Sequence, residues 1–386
     1  MEQAIKVEKY VTLAAEINKN ILAHGAAIWS GFTSVPFIIY TNEFQIAVGD
    51  KWPAKYEQVK ENIWIAFGTD SDLMANTVIS YHDQVIAIWD IRTWPEIIDI
   101  AQATGDIFHE MFHEYQYVNL QIQGGNELLA PTYPHSKNSV ALTLSENELL
   151  LSIIKNPDSN FVLENLSKIS KLRSERQAEL GEDYLQYDQG IETGEGTAVY
   201  AEIQMVAKLS GKSIYEVATE YAKDLQTTES TLLHYRRRLY TVGLILCLAC
   251  DILKLDLENE MVQSDSTIFA WLKTQVELKS NTARIEDLVS EESLNLAEAL
   301  LTTYELEKEQ KISAFIANPV IELEGELEIL MFDPMNIVCH QGRCLHKHGR
   351  IKVNGEERYL EHPFLVEYED HIFNIKKFFV PEDANV

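Results

Sequence analysis

The apolar positions of this chain change rhythm twice. Residues 3 to 24 read as an amphipathic helix ending near Gly25. Short runs rich in branched and aromatic residues follow: Val35 to Tyr40, Phe44 to Val48, Ile63 to Phe67, Thr77 to Tyr81 and Val85 to Trp89. Turn residues separate them, as at Thr41-Asn42, Gly49-Asp50, Gly68 to Ser71 and His82-Asp83, so these runs predict strands. From 97 to about 315 the spacing becomes helical. After Asn318-Pro319 short strands return, with Asn354-Gly355 as a strong hairpin turn. Sheet followed by helices argues α+β, with an N-terminal, mainly antiparallel sheet leading into a mostly helical unit and a small C-terminal β appendage. The corresponding divisions are 1–96, 97–318 and 319–386.

The first long helix carries the chemistry. Trp94-Pro95-Glu96 looks like a helix start, with proline early and an acid in the first turn. Ile97, Ile98, Ala101, Phe108, Met111 and Phe112 predict a buried face, interrupted by Gly105. No proline or second glycine falls between Asp106 and Gln123, so His109 and His113 belong to one continuous helix. With Glu110 they form the pattern HExxH. A spacing of four stacks the two imidazoles one turn apart, where their nitrogens can share one tetrahedral zinc ion. Glu110 then stands beside the metal, placed to take a proton from a water.

A third ligand is needed. Far downstream, residues 187–202 combine Gly190, Gly194, Gly196, Thr197, Ala198 and Ala201 with the acids Asp188, Glu192, Glu195 and Glu202. Small residues permit close helix approach, which a solvated acidic stripe does not require. Glu195 is the expected third ligand. Glu192, Glu202 and Asp188 are expected to accept hydrogen bonds from the far nitrogens of the histidines.

HExxH followed at long range by a helical Glu resembles the gluzincin zinc metallopeptidases. A closer likeness is to poorly characterised bacterial predicted metallopeptidases. Their histidine–glutamate helix ending in Gln is matched by His109-Glu110-Met-Phe-His113-Glu-Tyr-Gln116, and their EGxAxYxE segment by Glu195-Gly196-Thr-Ala198-Val-Tyr200-Ala-Glu202. Arg173 to Arg176 and Arg238 to Gly243 are further echoes. The likeness spans roughly residues 25 to 350, with only the two metal segments specific. It implies a zincin-like catalytic unit, one Zn2+ held by His109, His113 and Glu195, and Glu110 as general base.

Composition narrows the partners. The 386 residues carry 32 Lys+Arg against 60 Asp+Glu, a net charge of −28, which repels phosphate backbones and anionic lipid. Neither nucleic acid nor membrane is therefore an expected partner; a peptide or small amide is. Oligomeric state is left open. The first ten residues lack a basic start followed by an apolar run, and Val242 to Cys250 is too short to span a bilayer, so the expected location is the cytoplasm. Four cysteines are no disulfide framework in a chain this long. Cys247 and Cys250 sit in that apolar helix as core residues.

Cys339, His340, Cys344, His346 and His348 crowd ten residues and form a rival metal site. The separated partner pair that structural zinc sites use is missing, and surface histidines on a hairpin are the simpler reading. Tyr200, Tyr235 and Tyr240 are candidates for a phenol that stabilises an oxyanion, with Tyr200 taken as the catalytic one. Arg236-Arg237-Arg238 marks an exposed helix turn, one arginine of which could hold a substrate carboxylate, and His234 lies beside it. The expected function is zinc-dependent hydrolysis, most simply of peptide bonds. The alternative is a zinc-binding protein that uses the same ligands for structure or partner binding without turnover.

Overall fold

In a computed structural model the protein is described from residue 2 to 382, apart from 69, 120–123, 227–231, 233, 262–263, 265, 279–280 and 371. Helix α1 (Glu2–Ile28) precedes a sheet of β1 (Phe37–Tyr40), β2 (Phe44–Val48), β3 (Glu57–Lys60), β4 (Ile63–Phe67), β5 (Thr77–Tyr81) and β6 (Gln84–Asp90). The strand order is β3-β4-β2-β1-β6-β5, antiparallel throughout except for the parallel pair β1–β6. Both faces of this sheet are covered. Phe37, Ile39, Phe44 and Ile46 face a core shared with α1 and the following helices, while Ile38, Tyr40, Ala47, Ile86 and Ile88 face a second core with Trp52, Tyr56 and Tyr81. Two buried faces explain why the strands read as unbroken apolar runs.

Helix α2 (Ile100–Asn119) carries the histidines and packs beneath the sheet. It begins later than Trp94-Pro95-Glu96 suggested. The carboxylate of Asp99 caps it, accepting from the backbone N–H of Ala101 and Gln102. Residues 91–93 form a separate 3-10 turn capped by Asp90. His109 and His113 do share one helix; residues 120–123 of the span expected to be continuous lie outside the described residues. Helix α1 runs through Gly25 instead of ending there; the glycine makes room for Phe32, which a Cβ would meet at 2.8 Å.

The helical part continues with α3 (Lys137–Lys155), α4 (Ser159–Leu180), α5 (Glu182–Ser210), α6 (Ile214–Tyr221), α7 (Tyr235–Leu253), α8 (Ile268–Gln275), α9 (Ile285–Leu288) and α10 (Glu291–Ile316). Helix α5 lies between α2 and α7. It meets α7 with almost no side chain between them: a Cβ on Gly243 would sit 2.0 Å from the Glu192 carbonyl oxygen, and one on Gly196 would sit 2.4 Å from Gly243 Cα. Glycine is obligatory at such a crossing. Toward α2 the small residue is Gly105, whose Cβ would strike Val206 at 2.7 Å, so the interruption in the α2 pattern is the contact point. Cys247 and Cys250 are buried, free thiols within α7, as expected.

Residues 319 onward form two antiparallel sheets, β7-β14-β13-β10-β9 and β12-β11-β8. Their strands are β7 (Val320–Leu323), β8 (Leu327–Phe332), β9 (Ile337–His340), β10 (Arg343–His346), β11 (Gly349–Val353), β12 (Glu356–Leu360), β13 (Phe364–Tyr368) and β14 (Ile375–Pro381). They share a separate core of Ile351, Val353, Phe364, Val366, Phe378 and Val380. Asn354 and Gly355 turn β11 into β12 with φ of 52° and 88°. The architecture is α+β. Among the described residues no helix is long and apolar enough to cross a membrane.

Candidate metal centre

Helices α2 and α5 run antiparallel, and their contact assembles a triangle of ligand atoms. His109 Nε2 and His113 Nε2 are 3.1 Å apart. Oε2 of Glu195 lies 3.5 Å from the first and 3.3 Å from the second. Ligands about 2.0–2.1 Å from one tetrahedral ion stand about 3.3–3.4 Å from each other, so the triangle has the dimensions of a zinc face. It is the only His, Cys, Asp or Glu group of three or more with such closeness among the described residues.

Hydrogen bonds behind the triangle set the proton positions. Gln116 donates its Nε2 hydrogens to Gly194 O and Thr197 Oγ1, both at 2.7 Å, and Thr197 donates onward to Thr193 O. That fixes the Gln116 carbonyl oxygen toward His113 Nδ1, 2.8 Å away, so Nδ1 carries the hydrogen. His109 Nδ1 likewise donates to Glu202 Oε2 at 3.0 Å. Both Nε2 atoms therefore present lone pairs to each other and to a carboxylate oxygen. With both imidazoles neutral, three acceptors converge without a donor, an arrangement that could hold a cation, and His₂Glu is a donor set that suits zinc.

Charge state follows the same logic. Burial acts to depress both imidazoles, yet Glu195 with Glu202 at His109, and Glu195 at His113, raise them above the usual range, so a proton on Nε2 competes with a cation for the same lone pair. Burial acts to raise the Glu195 carboxyl, but His113, His109 and Arg236 together hold it well below the usual range. Glu110 is raised, chiefly by burial, against the pull of the two imidazoles. Glu110 lines the same cleft as the triangle and is 7% exposed, with no hydrogen-bond partner among the described residues.

Of the three acids expected behind the histidines, only Glu202 is there. Its second oxygen accepts from Gln102 at 3.0 Å and from the Tyr221 hydroxyl. Glu192 instead takes a two-pronged contact from Arg173, 2.8 Å at each oxygen. Asp188 accepts from Tyr235, Tyr133 and Arg176 at 2.7 to 3.0 Å. These two belong to a buried ionic cluster in which Glu146 also binds Arg173, Arg176 and Arg238, tying α3, α4, α5 and α7 together.

Tyr200 is not at the triangle. It is five residues beyond Glu195, about 140° around the helix, and its hydroxyl donates to Asp251 on α7 at 2.7 Å. Tyr235 is committed to Asp188, which leaves Tyr240 as the phenol of the three that lines the cleft. The arginine run also divides. Arg237 is exposed, Arg238 is buried against Asn147 and Glu146, and Arg236 reaches Oε1 of Glu195 at 3.0 Å. That contact was missed in the sequence, which read the run as an exposed turn with one unspecified arginine able to hold a substrate carboxylate; His234 is exposed beside it.

The rival site disperses. Cys339 and Cys344 are joined by a disulfide across the β9–β10 hairpin. His340 meets Glu305 at 3.0 Å, and His348 lies between Tyr359 and Asp333. His346 is not a surface residue: it is buried and stacked on Phe364 at 4.6 Å.

The cleft over the triangle encloses about 1090 Å³. Its walls are residues 74–80 with the edge strand β5, the α2 face bearing Glu110 and Glu114, Arg236 and Tyr240 of α7, and residues 331–336 with Lys347 and His348 of the C-terminal sheets. Comparison with protein-family models, curated proteins and solved structures finds no match to this chain.

Proposed function

We propose that the protein is a zinc-dependent hydrolase of the gluzincin type, acting on peptide bonds or small amides. One observation carries the reading: two imidazole nitrogens and one carboxylate oxygen converge on a cleft in which a buried carboxylate, Glu110, has no hydrogen-bond partner among the described residues. His109, His113 and Glu195 would hold the ion. When bound, zinc supplies a Lewis acid that polarises a carbonyl oxygen and acidifies a water. Glu110 takes the proton from that water and returns it to the leaving nitrogen, a task suited to a carboxyl raised by burial. Tyr240 offers a hydroxyl on the same wall for the developing oxyanion. Among the described residues strand β5 pairs only with β6, and its other edge along the cleft suits an extended peptide, which would add as a further strand.

The test joins elemental analysis of bound zinc to cleavage of a mixed peptide library. His113→Ala is expected to lose zinc; Glu110→Gln is expected to keep zinc and lose cleavage. Zinc retained by His113→Ala would overturn the ligand assignment. Wild-type protein with one tight zinc and no cleavage of any peptide would favour the non-catalytic alternative. The cytoplasm is the location proposed from the sequence, against which stands the Cys339–Cys344 bridge, a feature of oxidising compartments. Titrating thiols in protein freshly released from cells decides between them: four reactive thiols after unfolding support the cytoplasm, and two oppose it.

A further inference from the structure

Glu195 meets the two histidines through Oε2 alone, while its other oxygen, Oε1, accepts from Arg236 Nη2 at 3.0 Å. The guanidinium is itself immobilised. Its Nη2 donates to Glu127 Oε1 at 2.6 Å, its Nε lies 3.2 Å from both oxygens of Glu127, and its Nη1 donates to the Tyr240 hydroxyl. A planar fork committed on every edge has little freedom to turn. Two glycine contacts hold the fork in place. Gly196 against Gly243 sets α7, which carries Arg236, on α5, and Gly190 against Gly125 sets the segment that carries Glu127.

We infer that Arg236 is a positioning residue that reserves Oε1 of Glu195, so that this carboxylate offers one oxygen to the metal and the ion keeps four donors, three from the protein and one from water or substrate. The inference rests on the metal reading proposed above. A carboxylate free on both sides can chelate through both oxygens. That would add a fifth donor and crowd the position that a catalytic site with three protein ligands keeps for water or substrate. Arg236 prevents it by giving Oε1 a charge-assisted hydrogen bond of its own, and Glu127 offsets the added positive charge next to the site.

The experiment loads the metal-free full chain with cobalt(II) alone, counts bound metal by elemental analysis and records the visible spectrum. Four-coordinate cobalt absorbs more strongly than five-coordinate cobalt. Wild type is expected to take one cobalt with the strong spectrum. Arg236→Gln is expected to take one cobalt with absorption reduced several-fold, and Arg236→Lys, which keeps one charged donor for Oε1, to restore it. A folded Arg236→Gln protein with one cobalt and an unchanged spectrum overturns the inference. Should Arg236→Gln not fold, the double variant Arg236→Gln with Glu127→Gln decides, because it removes the donor to Oε1 without leaving the Glu127 carboxylate unpaired. Reduced absorption supports the role and an unchanged spectrum overturns it. Wild type that takes up no cobalt removes the metal reading itself, an outcome separate from any spectral result.

Discussion

The Nδ1 of His109 lies 3.0 Å from Oε2 of Glu202, a residue on a different helix and seven positions beyond the third ligand. The contact makes Nδ1 the protonated nitrogen and aims the Nε2 lone pair at the centre of the triangle. Partners of this kind contribute roughly 10- to 100-fold to metal affinity when removed. Glu202→Gln is therefore expected to weaken zinc binding by about that factor while the helices stay folded. Competition against a chelator of known affinity measures it. Unchanged affinity would mean that Glu202 does not orient His109.

Glu192 makes the opposite prediction. Its carboxylate is spent on Arg173, and both side chains are almost wholly buried. Deleting one member of a buried pair leaves an uncompensated charge and costs about 3–5 kcal/mol. Glu192→Ala should lower the urea midpoint of the metal-free protein by a corresponding amount. Zinc affinity of the protein that remains folded should change less than in Glu202→Gln. A loss of affinity with no loss of stability would restore Glu192 to the role expected from the sequence.

The α5–α7 crossing gives a paired test. Alanine at 243 puts a methyl 2.0 Å from the Glu192 carbonyl oxygen, against backbone that cannot turn aside. Overpacking of this kind costs about 1–3 kcal/mol, toward the upper end where backbone cannot yield, and it should also draw Arg236 away from Glu195. Gly194 lies two residues from the crossing with no heavy atom within 4 Å of its would-be Cβ. There alanine should stabilise the helix by about 0.5–1 kcal/mol. Thermal unfolding of the two variants checks both signs.

What the sequence revealed and what it hid divide along physical lines. HExxH was legible because both ligands and the base lie on one helix, where spacing alone sets geometry. Glu195 was legible as an acid among small residues, although most of those glycines serve α7 and the Glu127 segment and not α2. Asp188 and Glu192 misled because a helical arc says which residues share a face without saying which neighbour covers it. Asp188 and Glu202 both fall within that arc, seven residues to either side of Glu195, but His109 lies on the Glu202 side, and Asp188 meets Arg176, Tyr133 and Tyr235 instead. Arg236 could not be chosen from its run, since consecutive residues point 100° apart and only the Gly196–Gly243 contact decides which one meets the site. Strand β3 escaped because Glu57 to Lys60 is wholly exposed and carries no apolar pattern.

His346 provides a pH test away from the metal. Neither ring nitrogen has a partner, and burial lowers its pKa from 6.5 to about 4. Between those two values the unfolded chain binds a proton at this position and the folded chain does not. Stability therefore rises with pH across the window and is lost as pH falls from about 6.5 toward 4. The full difference of about 2.5 pH units corresponds to about 3 kcal/mol. The loss should fall on the C-terminal sheets, because His346 stacks on Phe364 within their core. His346→Phe keeps a ring against Phe364 and removes the titration. The variant should lose less stability than wild type between pH 6.5 and 4, read by urea unfolding at each pH. Equal losses in the two proteins would place the acid sensitivity elsewhere.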